Sequence, residues 1–179
     1  MVLNNLKKIF FKGKKYNKKQ IKHSLDNIIK VSTFISSNKK FNISDNFYSR
    51  YEIILIFIYL LYKRFKNDET NKERLQILYD FLFEYIDYSL REIGVGDLSV
   101  GKKVKTLARI FSYRMTTYDK SIILGFNNIK KPIKKFVFKD KVKKNDLDNF
   151  YKYINMQDNK LNSLKSEKIF IKYLFNEPK

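Results

Sequence analysis

Residues 75–119 read LQILYDFLFEYIDYSLREIGVGDLSVGKKVKTLARIFSYRMTTYD, and the spacing of their apolar positions decides the fold class. Leu75, Leu78, Leu82, Tyr85 or Ile86, and Leu90 recur at steps of three and four, which puts them on one face of an α-helix. Asp80, Glu84, Asp87 and Arg91 recur at steps of four, three and four and form a second stripe, in which Asp87 and Arg91 stand at the spacing of an i,i+4 ion pair. Of the five glycines in the chain, Gly94, Gly96 and Gly101 fall within eight residues. Glycine inside a helix costs about 1 kcal/mol relative to alanine, so Gly94 and Gly96 are predicted to end this helix, with one or both at positive φ. Asp97 is then predicted as the N-cap of the next helix. That helix carries Val100, Val104, Leu107, Phe111 and Tyr118 on its apolar side and Lys102, Lys105, Arg109 and Arg114 on a basic one. The two together predict a helical hairpin with a tight glycine-rich corner near 94–101.

Outward from the hairpin the pattern stays helical. Ile53 to Tyr62 is a run of ten apolar residues closed off by Arg50 and Glu52 before it and Lys63 and Arg64 after it. A membrane span needs about 20 such residues, so the run reads as a buried helix with its charges at the ends. Residues 67–71 read as a linker to the hairpin. Beyond Gly125 the chain is rich in lysine and Pro132 is predicted to break it, after which 146–156 and 161–175 read as two shorter helices. Phe150, Tyr153, Ile154, Leu164, Phe170, Tyr173 and Leu174 are their core candidates. Residues 1–20 form a basic leader around Ile9, Phe10 and Phe11, without the long apolar region of a secretory signal. The expected architecture is all-α: one compact helical domain over residues 21–175, with no run of strands and no internal repeat.

Composition narrows function by exclusion. The 179 residues include no cysteine, which removes disulfides, thiolate metal sites and cysteine nucleophiles, and only one histidine, His23, expected as an exposed helix residue in a lysine-rich stretch. Lys+Arg 38 against Asp+Glu 18 gives a net charge of +20, which favours an anionic partner such as RNA, a ribosome or an anionic membrane surface. Lysine, asparagine, isoleucine, phenylalanine and tyrosine are abundant together, as AT-rich coding produces without selection on function. The six arginines therefore carry more information than the lysines.

Two catalytic readings fail on their own chemistry. GDLSVGKK at 96–103 imitates a nucleotide-binding loop, but Lys103 stands where a hydroxyl should hold magnesium, and the preceding segment is patterned as a helix rather than a strand. Asp97 would also repel the phosphates. The carboxylates Asp80, Glu84 and Asp87 lack the Glu-x-x-His pairs that helical di-metal sites use.

The run LREIGVGDLSVGKKVK at 90–105, followed by Ala108, Phe111, Arg114 and Tyr118-Asp119, resembles the signature of the ubiquinol-cytochrome c chaperone family. The likeness extends upstream through Asp80 and Asp87. It reaches more loosely to Ser49-Arg50-Tyr51-Glu52, where Ser49 replaces a usual glycine, and Ser112 stands where a small residue often precedes the arginine. The resemblance implies a helical, non-enzymatic protein without cofactor or small-molecule substrate. Such a protein helps newly made or newly inserted cytochrome b assemble into the respiratory bc complex. Mitochondrial members act with a small partner protein near the ribosome exit site. It further implies a cytoplasmic location, peripheral at the inner face of the inner membrane, or the mitochondrial matrix in a eukaryote. Candidate partner- and client-binding residues are Asp80, Glu84, Asp87, Arg91, Glu92 and Asp97 on the acidic side, and Lys102, Lys105, Arg109 and Arg114 on the basic one. Both stripes also read as ordinary solvated helix faces. The alternatives are a basic ribosome- or RNA-binding protein and a peripheral membrane protein anchored by Leu6 to Phe11.

Overall fold

A helix that is apolar all round has no face for water and must lie inside the protein. In the structure, a computed structural model that describes residues 17–165, 168–170 and 175–178, the run from Ile53 meets this requirement. It forms the middle of α2 (Phe47–Phe65), where Ile53 to Leu61 are all buried, and α2 touches α1 (Lys18–Ser37), α3 (Glu69–Glu92), α4 (Asp97–Ser121) and α6 (Lys144–Ser163). A 3₁₀ turn, Phe126–Ile129, leads into the short α5 (Lys130–Phe136) between α4 and α6. Among the described residues there is no strand, and no helix is long and apolar enough to cross a membrane. The chain is all-α, a single helical domain, as the periodicity requires.

Side-chain caps fix the entries of the first two helices. Asn17 accepts from the backbone N–H of Lys19, and Asn46 accepts from that of Ser49. Ile21, Leu25, Ile28, Val31 and Ile35 give α1 one buried face, while His23 is exposed on the opposite side. Asn27 on the buried side holds the chain near its end, accepting from the Phe175 amide at 3.1 Å and donating to the Phe175 carbonyl at 3.2 Å. Lys63 on α2 meets the buried Asp158 of α6 at 2.7 Å.

Four expectations need correction. The linker is shorter than 67–71, because α3 begins at Glu69. Pro132 does not break the lysine-rich segment: it sits in the first turn of α5, where a missing N–H deprives no helical carbonyl, and it is buried. The helix predicted over 146–156 runs from Lys144 to Ser163 and absorbs Leu161, whereas Leu164 and Lys165 are already outside it. The described residues beyond, 168–170 and 175–178, form turns and irregular chain, in which Ile169, Phe170 and Phe175 are nevertheless buried. Tyr173 and Leu174 lie outside the described residues, as does the leader up to residue 16; α1 starts at Lys18.

Candidate functional site

The hairpin predicted from residues 75–119 is formed by α3 and α4. Leu75, Leu78, Leu82, Ile86 and Leu90 are the buried apolar positions of α3, so Ile86 rather than Tyr85 occupies the face. Phe111 of α4 closes the contact edge-on to Tyr79 and Phe83, at ring separations of 5.1 and 5.7 Å.

The corner is a helix stop made by backbone hydrogen bonds. Gly94 N–H reaches the Arg91 carbonyl and Val95 N–H reaches the Leu90 carbonyl, both at 2.9 Å, with Gly94 at φ +87°. This double closure requires a left-handed residue at Gly94, the position that favours glycine. Gly96 does not share that geometry: it is extended at φ −63° and is itself the N-cap of α4, its carbonyl accepting from Ser99 and Val100. Asp97 is therefore the first helical residue and not the expected cap. There its charge faces the positive end of the helix dipole. Gly94→Ala is expected to cost about 1–2 kcal/mol, since a Cβ is strained there although the space is open. Gly96→Ala should stay within about 1 kcal/mol, because it loses only a weak cap preference. Urea unfolding of the two variants checks the difference.

The tip projects. Tyr51 of α2 donates its hydroxyl to the Leu107 carbonyl; α2 has only four residues before Tyr51, so the first turns of the stretch 97–106 of α4 extend past the start of α2. Within that stretch Val100 is the one buried residue. Leu98 is fully exposed, and Ile93 and Tyr88, on the α3 side of the corner, are 54% and 61% exposed. Arg91 binds Asp87 at 2.7 Å and also contacts Asp97, tying the end of α3 to the start of α4. These hydrogen bonds and charges raise the Arg91 pKa, with the Asp87 hydrogen bond the largest cause. Where Ile93 turns back toward the body, a cleft of about 150 Å³ opens between α2 and α3, lined by Phe47, Arg50, Ile54, Tyr85 and Glu92 among others.

The predicted candidates thus divide into three groups. Arg91 meets Asp87 and Asp97 at the tip, Glu92 lines the cleft against α2 instead, and Asp80 and Glu84 continue the exposed stripe down α3, where Gln76 donates to Asp80 at 2.9 Å. Lys102, Lys105 and Arg109 form the exposed outer face of α4, and Gly101 lies within its first turns. Arg114 belongs to neither. At position 114 the helix has turned toward α2, and the guanidinium makes a two-point contact with Glu52, at 2.9 Å from Nε and 2.7 Å from Nη2, while lying 3.5 Å from the Phe136 ring centre. The pair is mostly shielded, with 14% and 13% of the side chains exposed. Burial works against the Arg114 charge, but Glu52 more than offsets it and the pKa is raised.

Glu52 is the residue that sequence reading missed as a partner. It lies in the segment 49–52, so the two parts of the sequence signature meet here, at a cleft of about 380 Å³ rimmed by Tyr48, Tyr113, Lys135 and Lys139. Ser49 is buried at its wall. Tyr118 is fully buried next to the pair, and burial, with Glu52 adding and Arg114 opposing, pushes its pKa well above the ordinary value. Asp119 instead pairs with Lys66 at 2.7 Å. The sequence signal for Arg114 was its spacing from Phe111 and Tyr118 at i,i+3 and i,i+4, which places it at the edge of the apolar face. No metal-binding cluster occurs among the described residues.

Comparisons with known proteins bear on this geometry. The family described as ubiquinol-cytochrome C chaperone matches residues 39–174, which include both signature segments. A comparison with curated proteins finds no match. The fold is similar to the crystal structure of the Cbp3 homolog from Brucella abortus, with a TM-score of 0.72 and 22% identity over 86% of each chain.

Proposed function

Because the chain belongs to the ubiquinol-cytochrome c chaperone family, we propose that it is a non-catalytic assembly chaperone for the bc complex, acting on cytochrome b and meeting it at the α3–α4 tip. The observation that carries the reading is the exposure of Leu98, Ile93 and Tyr88, which flank the α3–α4 corner in sequence. Isolated exposed apolar residues are ordinary, but several around one corner, with charged neighbours, have the composition of a protein-binding surface. A client that is itself a membrane protein offers the matching apolar segments. The charges of Arg91, Glu92 and Asp97 keep such a tip soluble while it is empty.

The acidic stripe Asp80, Glu84 and Asp87 would then face a basic part of the client or a small partner protein. Long-range attraction there would speed encounter more than it strengthens the complex. The acting location would be the inner face of the membrane into which cytochrome b is inserted. Deleting the gene should lower haem-containing cytochrome b, read from reduced-minus-oxidised spectra of membranes, and spare other membrane complexes. Unchanged cytochrome b would refute the proposal. Strong binding to naked RNA with no preference for cytochrome b would instead favour a nucleic-acid role for the basic surface.

A further inference from the structure

The end of α4 distant from the tip carries a second exposed apolar group. Ile123 and Leu124, in the turn after α4, are 76% and 91% exposed, side by side. At 100° per residue, Lys102, Lys105, Arg109, Tyr113, Thr116 and Lys120 fall within one sector of α4, opposite the buried Val100, Leu107 and Tyr118. The basic outer face therefore runs along α4 toward the aliphatic pair.

α5 widens this face. Its Pro132, Ile133 and Phe136 are buried, and Phe136 meets Tyr113 and Tyr118 of α4 edge-on at 6.0 and 6.1 Å. Lys131, Lys134 and Lys135 are exposed on the other side of α5. From Lys102 to Lys139 the chain holds eleven lysines and arginines and a single carboxylate, Asp119, which is already paired with Lys66.

From these features we infer that the outer face of α4 and α5 docks on an anionic lipid surface, with Ile123 and Leu124 inserted at the headgroup boundary. Lysine abundance alone would not pick out this face, because coding bias supplies lysine everywhere. An adjacent pair of nearly fully exposed aliphatic side chains does pick it out. Nucleic acid offers such a pair nothing comparable, since single strands are gripped by stacking on aromatic rings. A bilayer offers its acyl boundary to the pair and its headgroup charge to the lysines within a Debye length of about 8 Å. The inference stands apart from the client reading, since Ile123, Leu124, Lys131 and Lys134, on which its test rests, lie beyond the far end of α4 and on α5.

Cosedimentation of the full chain with phosphatidylglycerol-containing vesicles, with pure phosphatidylcholine vesicles as the neutral control, tests it. Binding is expected to the anionic vesicles only. Lys131→Gln with Lys134→Gln should weaken it about 25-fold, at roughly fivefold per charge removed near the surface. Ile123→Ser with Leu124→Ser should weaken it about tenfold or more. The chain has no tryptophan, so Ile123→Trp supplies one fluorophore, whose emission should shift to the blue when anionic vesicles are added. Undiminished binding by the Ile123→Ser, Leu124→Ser chain would overturn the inference and assign the contact elsewhere. So would bound Ile123→Trp protein without a blue shift, or single-stranded RNA displacing the protein from vesicles at equal phosphate. Cytochrome b accumulation is read separately, so failure here is distinguishable from failure of the chaperone proposal.

Discussion

Arg114→Met is expected to destabilise the protein by about 3 kcal/mol, near the lower end of the range for breaking a buried ion pair. The substitution keeps most of the volume and leaves Glu52, only 13% exposed, without the two-point contact that now neutralises it. It also removes the cation from the Phe136 face, a contact worth about 1 kcal/mol when partly shielded. For a chain of this length the melting temperature should fall by about 6–12 °C, measured by circular dichroism. Combining Arg114→Met with Glu52→Gln should recover part of the loss, because the second change removes the stranded charge. A double variant no better than the single one would mean that Arg114 contributes through packing on Phe136 alone. Any loss of cytochrome b in the Arg114→Met strain should follow the fall in protein abundance, as expected for a residue that joins α4 to α2 rather than one that touches a client.

The same residue shows how far the sequence can be read. Helix positions were legible because burial imposes a period, and the period was present in Leu75, Leu78, Leu82, Ile86 and Leu90, with Tyr85 competing only for the place of Ile86. The left-handed Gly94 was legible because few other residues suit that backbone. Arg114 was misjudged because arginine is usually exposed, and only the tertiary arrival of Glu52 from 62 positions earlier makes its burial tolerable. Asp97 was misjudged for a different reason: two possible caps are adjacent, and the hydrogen bonds that close the Gly94 turn bring the chain to Gly96 first. Near the C-terminus, Phe170 was rightly read as buried, but burial does not specify helix, and the equally buried Phe175 was not among the core candidates. A chain held by Asn27 to the backbone of Phe175 can bury such rings while its described residues run as turns and irregular chain.

Ile93→Asp with Leu98→Asp should lower haem-containing cytochrome b at least tenfold while leaving the purified protein as stable as the wild type. Neither residue contributes its full side chain to the core, since Leu98 is fully exposed and Ile93 is 54% exposed. Surface substitutions of this kind usually change stability within about 0.5 kcal/mol. A partner interface reacts differently, because truncating a central apolar anchor costs about 2 kcal/mol or more and a carboxylate in its place adds the penalty of a desolvated charge. Two such positions at one corner therefore exceed the 1.4 kcal/mol that corresponds to a tenfold loss of binding. Asp97→Ala separates the charges from the apolar tip. It removes a surface ion pair with Arg91, which solvent screens, and should reduce cytochrome b much less than the double change. If instead Asp97→Ala abolished cytochrome b and the Ile93→Asp, Leu98→Asp chain supported it fully, recognition would rest on the charges of the corner and the apolar tip would have no role in it.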